Sequence, residues 1–145
     1  MERSLVLIKP DGMQRGLGGT IIGRLEKRGL KLVALKMLHM DKALAEKHYA
    51  VHRDKPFFEG LVNYITTAPI IAAVFEGEGA VELIRKIMGA TDPAKAEAGT
   101  IRGDLGLDIE RNTVHGSDSV ETAEKEISLF FTEDEIFNYQ RETES

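Results

Sequence analysis

The run Pro69–Phe75, PIIAAVF, is apolar throughout. It reads as a strand buried in a sheet, and a buried sheet needs helices to cover it. Ser4–Lys9, SLVLIK, has the same character and is closed by Pro10-Asp11-Gly12, a turn signal. The segments between supply the cover. Leu17, Ile21, Ile22 and Leu25 recur at helical spacing until Gly29, and Leu30–Met40 then forms a second strand-like run interrupted by Lys31, Lys36 and His39. Asp41 caps a helical stretch, DKALAEKHYAVH, and Pro56 opens another, PFFEGLVNYITT. After Gly77 and Gly79, Val81, Ile84, Ile87 and Met88 mark a helix face. A strand is expected near Val114 and His115. Asp118 with Glu121 reads as a capping box for a last helix lined by Val120, Ala123, Ile127 and Phe130. The polar tail from Asn138 is expected to be loose.

The order is β-α-β-(αα)-β-α-β-α, without repeat or linker. It predicts an α+β fold of the split-βαβ type, an antiparallel four-stranded sheet covered by helices. From Gly89 to Thr113 no periodicity appears, and so long an unpatterned loop in a compact domain is more often functional than idle. The 145 residues are expected to form one domain, 1–145, since domains commonly hold roughly 100 to 150 residues.

Composition narrows the function. The sequence has no cysteine, which removes disulfides, thiolate metal sites and cysteine nucleophiles. A membrane span needs about 20 apolar residues, and the N-terminal run stops at Lys9 and Pro10. A soluble, cytoplasmic protein is expected. The net charge of −5 disfavours binding of nucleic acid through a basic face. An anionic ligand therefore needs a local positive pocket.

Several motifs fail. There is no GxxxxGK[ST], and Gly16-Leu17-Gly18-Gly19 lacks the third glycine of a dinucleotide fingerprint. His52-Arg53-Asp54 imitates a protein-kinase catalytic loop, but Glu59 stands where its Asn is required. His48 and His52 lie at i, i+4 without a third ligand or an HExxH glutamate, and read as a solvated helix face.

What remains is a set of basic and hydroxyl residues. Lys9 ends a strand, Arg85 lies on a helix, and Arg102 and Arg111 sit in the long loop. Taken singly, each is an ordinary surface charge. Together with Thr91, Thr100 and Asn112 they are the groups that hold phosphate oxygens. Phe57 and Phe58 either belong to the core or offer a face to a nucleobase, and Tyr49 is equally ambiguous. His115, in RNTVHGSD, either fills a corner of the core or reacts. Imidazole is partly neutral and nucleophilic at cell pH, and attack on a terminal phosphoryl group would divide one transfer into two. A histidine phosphocarrier would also use His115, but gives no reason for Phe57 and Thr91. An RNA-binding module lacks its RNP1 pattern.

LVLIKPDGMQRG, HYAVHRDKPFFEGLV, GTIRGD and RNTVHGSDSVETAEKEI closely resemble the nucleoside diphosphate kinases, with even spacing from about Ser4 to Phe131. The resemblance implies a ferredoxin-like fold and transfer of the terminal phosphoryl group of a nucleoside triphosphate to a nucleoside diphosphate. The route is ping-pong, through a phosphohistidine at His115. It places Phe57 against the base, Lys9 and Asn112 at the sugar hydroxyls, and Arg85, Thr91 and Arg102 on the phosphates. Tyr49 matches another position of the nucleotide site. Glu126 orients the imidazole, with Ser117 nearby. Mg2+ enters on the nucleotide's phosphates, without protein ligands. The resemblance also implies a homo-oligomer, hexamer or tetramer, and low base specificity. Met13 departs from the smaller apolar residue usual after the Pro-Asp-Gly turn, at no catalytic position. The chain stops at Ser145, without the longer extension some members use in subunit contacts.

Overall fold

The computed structural model describes residues 1–142. Strands β1 (Glu2–Ile8), β2 (Lys31–Leu38), β3 (Ile70–Gly77) and β4 (Val114–Gly116) form one sheet in the order β2-β3-β1-β4. Every neighbouring pair is antiparallel. β1 and β2 are separated by β3, as the split-βαβ reading requires.

The central strand β1 lacks alternation because both of its faces are covered. Leu5 and Leu7 pack with Ala45, Val62, Ile65 and Phe130, whereas Val6 and Ile8 pack with Ile21, Leu25, Ile84 and Met88. Successive strand residues point to opposite faces, so each half of β1 feeds a different core. Helices α3 (Lys42–His48), α4 (Phe58–Ile65) and α7 (Val120–Phe130) supply one core, and α2 (Gly18–Lys27) and α5 (Ala80–Met88) the other.

This two-sided cover aims β4. Its register sets His115 opposite Leu7, Val114 opposite Ile8 and Gly116 opposite Val6. Cross-strand partners share a face, so His115 turns towards α3 and α7 while Val114 joins the core against α5. Gly116 lets β4 approach α5, because a Cβ there would lie 2.8 Å from Met88 Cε.

Four local expectations change. The Pro-Asp-Gly turn is the start of a short helix, α1 (Pro10–Gln14), where a proline is well placed because the first N–H groups of a helix are unpaired. The unpatterned stretch holds another, α6 (Ile101–Leu105), with the Thr100 hydroxyl accepting from Gly103 N–H at 3.0 Å. Neither is long enough to show a period. The residue capping α7 is Ser119, which accepts from Thr122 N–H at 3.1 Å, rather than Asp118. The tail is tied down as far as it is described: Tyr139 donates to the Leu32 carbonyl and Arg141 to those of Gly29 and Leu30. Residues 143–145 of that tail lie outside the described residues. No helix among the described residues is long and apolar enough to cross a membrane.

Candidate active site

A cavity of about 880 Å³ is lined by Lys9, Tyr49, Phe57, Arg85, Thr91, Arg102, Asn112 and His115, together with His52, Leu61, Glu110 and Asp118. That volume suits a small-molecule ligand. Ser117 and Glu126 are buried and meet each other behind His115.

Lys9 follows β1, and its backbone N–H donates to the Thr113 carbonyl at 2.9 Å. Its ammonium donates to the Glu110 carbonyl and to Asn112 Oδ1, each at 2.8 Å, and Asn112 Nδ2 donates to the Thr91 carbonyl at 3.0 Å. Four of the cavity's polar residues, Lys9, Glu110, Asn112 and Thr91, are thus chained together. Thr113, between Asn112 and β4, has φ +70°, a left-handed conformation unusual for a β-branched residue. Asp11 holds it there, accepting from Thr113 N–H at 3.1 Å on one oxygen and from the Tyr64 hydroxyl at 2.7 Å on the other. The resulting kink leaves Asn112 in the cavity wall and sends Val114 into the sheet.

Arg102 comes from α6. Its guanidinium donates to the carbonyls of Gly89 at 3.1 Å and Val114 at 2.8 Å, while its buried Nε has no partner. Gly89 has φ +84°, and a Cβ there would collide with the Thr100 hydroxyl. The loop can therefore close over Arg102 only with glycine at that position. Burial, then the charge of Arg85, lowers Arg102 to about 10. Lys9 is lowered to about 8, mainly by burial and further by Arg102, against the opposing pull of Asp11. Cations gathered closely enough to depress one another make an anion site within an acidic protein.

The two phenylalanines separate. Phe58 packs on the core, whereas Phe57 is 51% exposed in the cavity wall, its ring 5.4 Å from that of His52. Tyr49 is buried, and burial, with the Glu126 charge, pushes its phenol up to about 12. It stays neutral.

His115 Nε2 lies 3.0 Å from Glu126 Oε2, and Glu126 Oε1 accepts from the Ser117 hydroxyl at 2.6 Å. Ser117 Oγ in turn accepts from Leu5 N–H at 3.3 Å, which ties the group to β1. Burial opposes ionisation of Glu126. The hydrogen bond and charge of His115 and the hydrogen bond of Ser117 outweigh it and hold the carboxyl below its ordinary value. A carboxylate only accepts, so in the neutral ring Nε2 carries the proton and Nδ1 keeps its lone pair. In the neutral ring the lone pair at Nδ1 is thus the one free to act as a nucleophile, in a cavity lined by cations and hydroxyls.

The solvated face expected for His48 and His52 does not exist at His48. Its side chain is 1% exposed, with Nδ1 3.5 Å from Glu126 Oε2, and its ring meets that of His115 edge-on, centroids 4.7 Å apart. Burial, then the neighbouring His115, lowers it to about 3, so it is uncharged. The missed signal was the spacing of Ala45, His48 and Tyr49, all buried, which puts His48 on the core stripe of α3. Asp11 and Tyr64 were missed as well, because their partnership joins distant segments. Among the described residues, His48, His115 and Glu126 form the group able to hold a metal ion. Two imidazoles suit a transition metal, not Mg2+, which prefers oxygen.

Comparison with known proteins follows the same line. The family model described as nucleoside diphosphate kinase matches residues 2–136. A nucleoside diphosphate kinase of Dehalococcoides mccartyi is 67% identical, covering 97% of this chain and 99% of its own. One of Archaeoglobus fulgidus is 58% identical, covering 99% and 95%. The structure of a halophilic nucleoside diphosphate kinase from Halobacterium salinarum in complex with CDP superposes with a TM-score of 0.95 at 51% identity, covering 97% of this chain and 94% of that one. With a matching model over almost its whole length and relatives this similar, the chain belongs to the nucleoside diphosphate kinase family.

Proposed function

We propose that the protein moves the terminal phosphoryl group of a nucleoside triphosphate to a nucleoside diphosphate by a ping-pong route through phospho-His115. The observation that carries this reading is the 3.0 Å bond from His115 Nε2 to Glu126, which in the neutral ring reserves the lone pair for Nδ1, in a cavity that also holds Lys9, Arg85 and Arg102. The base lies on Phe57, the sugar hydroxyls meet Lys9 and Asn112, and the phosphates lie on Arg85, Thr91 and Arg102. Nδ1 attacks the terminal phosphorus. An N–P bond forms, the bridging P–O bond breaks, and its electron pair leaves with the nucleoside diphosphate. Nε2–H stays on Glu126, whose charge offsets the positive charge developing on the ring. A second diphosphate then attacks phosphorus through a terminal oxygen, and the N–P electrons return to the ring. Phosphoryl transfer asks little beyond this positioning and neutralisation.

Kinases acting on nucleotides generally need a divalent cation, here Mg2+. In this reading Mg2+ would enter on the nucleotide's phosphates, where it would neutralise charge, as suits an ion that keeps several waters and takes oxygen ligands. Around Phe57 the cavity offers Pro56, Gly60, Leu61 and the His52 ring, and the amide among the lining residues, Asn112, is engaged with Lys9 and Thr91. Any base serves, and a hundredfold preference among donor nucleotides would contradict this. CDP in the Halobacterium salinarum relative is compatible with that tolerance.

The protein acts as a single domain, in the cytoplasm, as a homo-oligomer (hexamer or tetramer), with no need of membrane or nucleic acid. β2 is one of the two edge strands of the sheet, with Leu35 50% and Met37 63% exposed, and an exposed apolar sheet edge supports self-association. The deciding experiment incubates the protein with ATP labelled at the terminal phosphate. An acid-labile, base-stable label is expected on the protein, absent with turnover in His115→Ala. Label retained in that variant would move the nucleophile elsewhere.

A further inference from the structure

His48 is buried with neither ring nitrogen hydrogen-bonded. Burying an unpaired polar group is unfavourable, and a phenylalanine in its place would avoid the penalty. Packing alone therefore does not account for an imidazole here. Three rings enclose it: Tyr49 at 4.6 Å, His115 at 4.7 Å and Phe130 at 5.6 Å between centroids. Its Nδ1 stands 3.5 Å from Glu126 Oε2, the oxygen that also accepts from His115 Nε2 at 3.0 Å.

We infer that His48 is a positioning residue for phosphoryl transfer, its neutral Nδ1–H directed at Glu126 Oε2 so that this oxygen stays in line with His115 Nε2. The inference rests on the reading of His115 as the phosphoryl acceptor. Glu126 is tethered by Ser117 at its other oxygen, 2.6 Å away, and that bond alone leaves the carboxylate free to swing about the Ser117 contact. The second dipole limits the swing. The perpendicular ring, at 82° to His115, also packs against the imidazole. Because burial and the neighbouring imidazole keep His48 uncharged, it steers the carboxylate without competing for its charge. The charge is then available to His115 as its ring becomes positive.

Two substitutions distinguish this from filling of space. His48→Phe keeps the volume and loses the N–H; His48→Asn loses volume but places an amide N–H where Nδ1 stood. The rate of His115 labelling by ATP is expected to fall roughly 10- to 100-fold in His48→Phe, with nucleotide dissociation constants within about twofold of the parent, since binding does not use this contact. His48→Asn is expected to label at least about tenfold faster than His48→Phe. The reverse order, with Phe near the parent rate and Asn slow, would show a purely packing role and overturn the inference. A check independent of either variant's folding is the 15N spectrum of the parent protein near pH 7, which should show His48 neutral and protonated at Nδ1. Protonation at Nε2 alone overturns the inference as well. If the parent protein takes no label on His115, the parent reading fails; if it does and His48→Phe labels equally fast, only this inference fails.

Discussion

Lys9 shows how much a single side chain's surroundings add to its identity. The sequence places it at the end of an apolar strand, where an ammonium facing water is equally sensible. Burial and two 2.8 Å hydrogen bonds are tertiary facts, supplied by residues about a hundred positions away. Burial, with the nearby Arg102 charge, lowers its pKa to about 8, within reach of experiment. A bound nucleotide polyanion favours the charged form, so binding near pH 8 should draw protons into the complex. Affinity for a nucleoside diphosphate should fall as pH rises through about 8. Calorimetric titration in two buffers of different ionisation enthalpy measures the uptake. Lys9→Met should abolish it and weaken binding by about tenfold, ~1.4 kcal/mol; identical uptake in that variant would put the titrating group elsewhere. Phe57 and Phe58 carry a similar lesson, since adjacent identical residues are told apart only by which of them the core has room for. Phe57→Ala should weaken binding of all bases by comparable factors, ~1–3 kcal/mol, in parallel titrations with purine and pyrimidine diphosphates.

Elements were legible in proportion to their length. β1, β3 and α5 announce themselves because each repeats its pattern several times, and their order implies the sheet. α1 and α6 span five residues each and complete barely one helical turn, so no period exists to be read. Only Pro10 at the start of α1 and the Thr100 cap of α6 betray them. α6 is the more consequential omission, since it carries Arg102 into the cavity. Its cap and that of α7 use the same chemistry, a hydroxyl accepting from a backbone N–H at 3.0 Å for Thr100 and 3.1 Å for Ser119. Removing either should cost about 1 kcal/mol of stability. Their functional consequences should differ. Thr100→Ala loosens the element holding Arg102 and should raise the KM for nucleoside triphosphate several-fold; Ser119→Ala frays the outer end of α7 and should leave it unchanged. Denaturant midpoints verify the matched losses, and equal KM values in the two variants would mean that α6 does not position Arg102.

For the molecule as a whole, the strand and helix order in the sequence was enough for the topology. The family resemblance brought His115, Ser117 and Glu126 together, while His48 escaped because the buried polar centre joins residues of α3, β4 and α7. That centre has a global consequence. His48 is held near 3 in the folded protein against 6.5 unfolded, so between those values the unfolded chain binds the extra proton. Stability is then full above about pH 6.5 and declines as pH falls, by up to ~1.4 kcal/mol per unit from this group. Glu126 is also lowered on folding. Its contribution is present above its unfolded value of 4.5 and is lost as pH falls below it. The two act in sequence on the same side, His48 first, which predicts a protein that weakens in mild acid well before its carboxylates as a class are protonated. Urea midpoints measured from pH 7 to pH 4 should fall steadily for the parent protein. In His48→Phe, with no imidazole to charge, the slope from about pH 6.5 to 4.5 should flatten, leaving only the lower, carboxylate-dependent decline. Parallel slopes would show that His48 is already protonated in the fold, and the neutral ring assigned to it beside His115 would be lost with it.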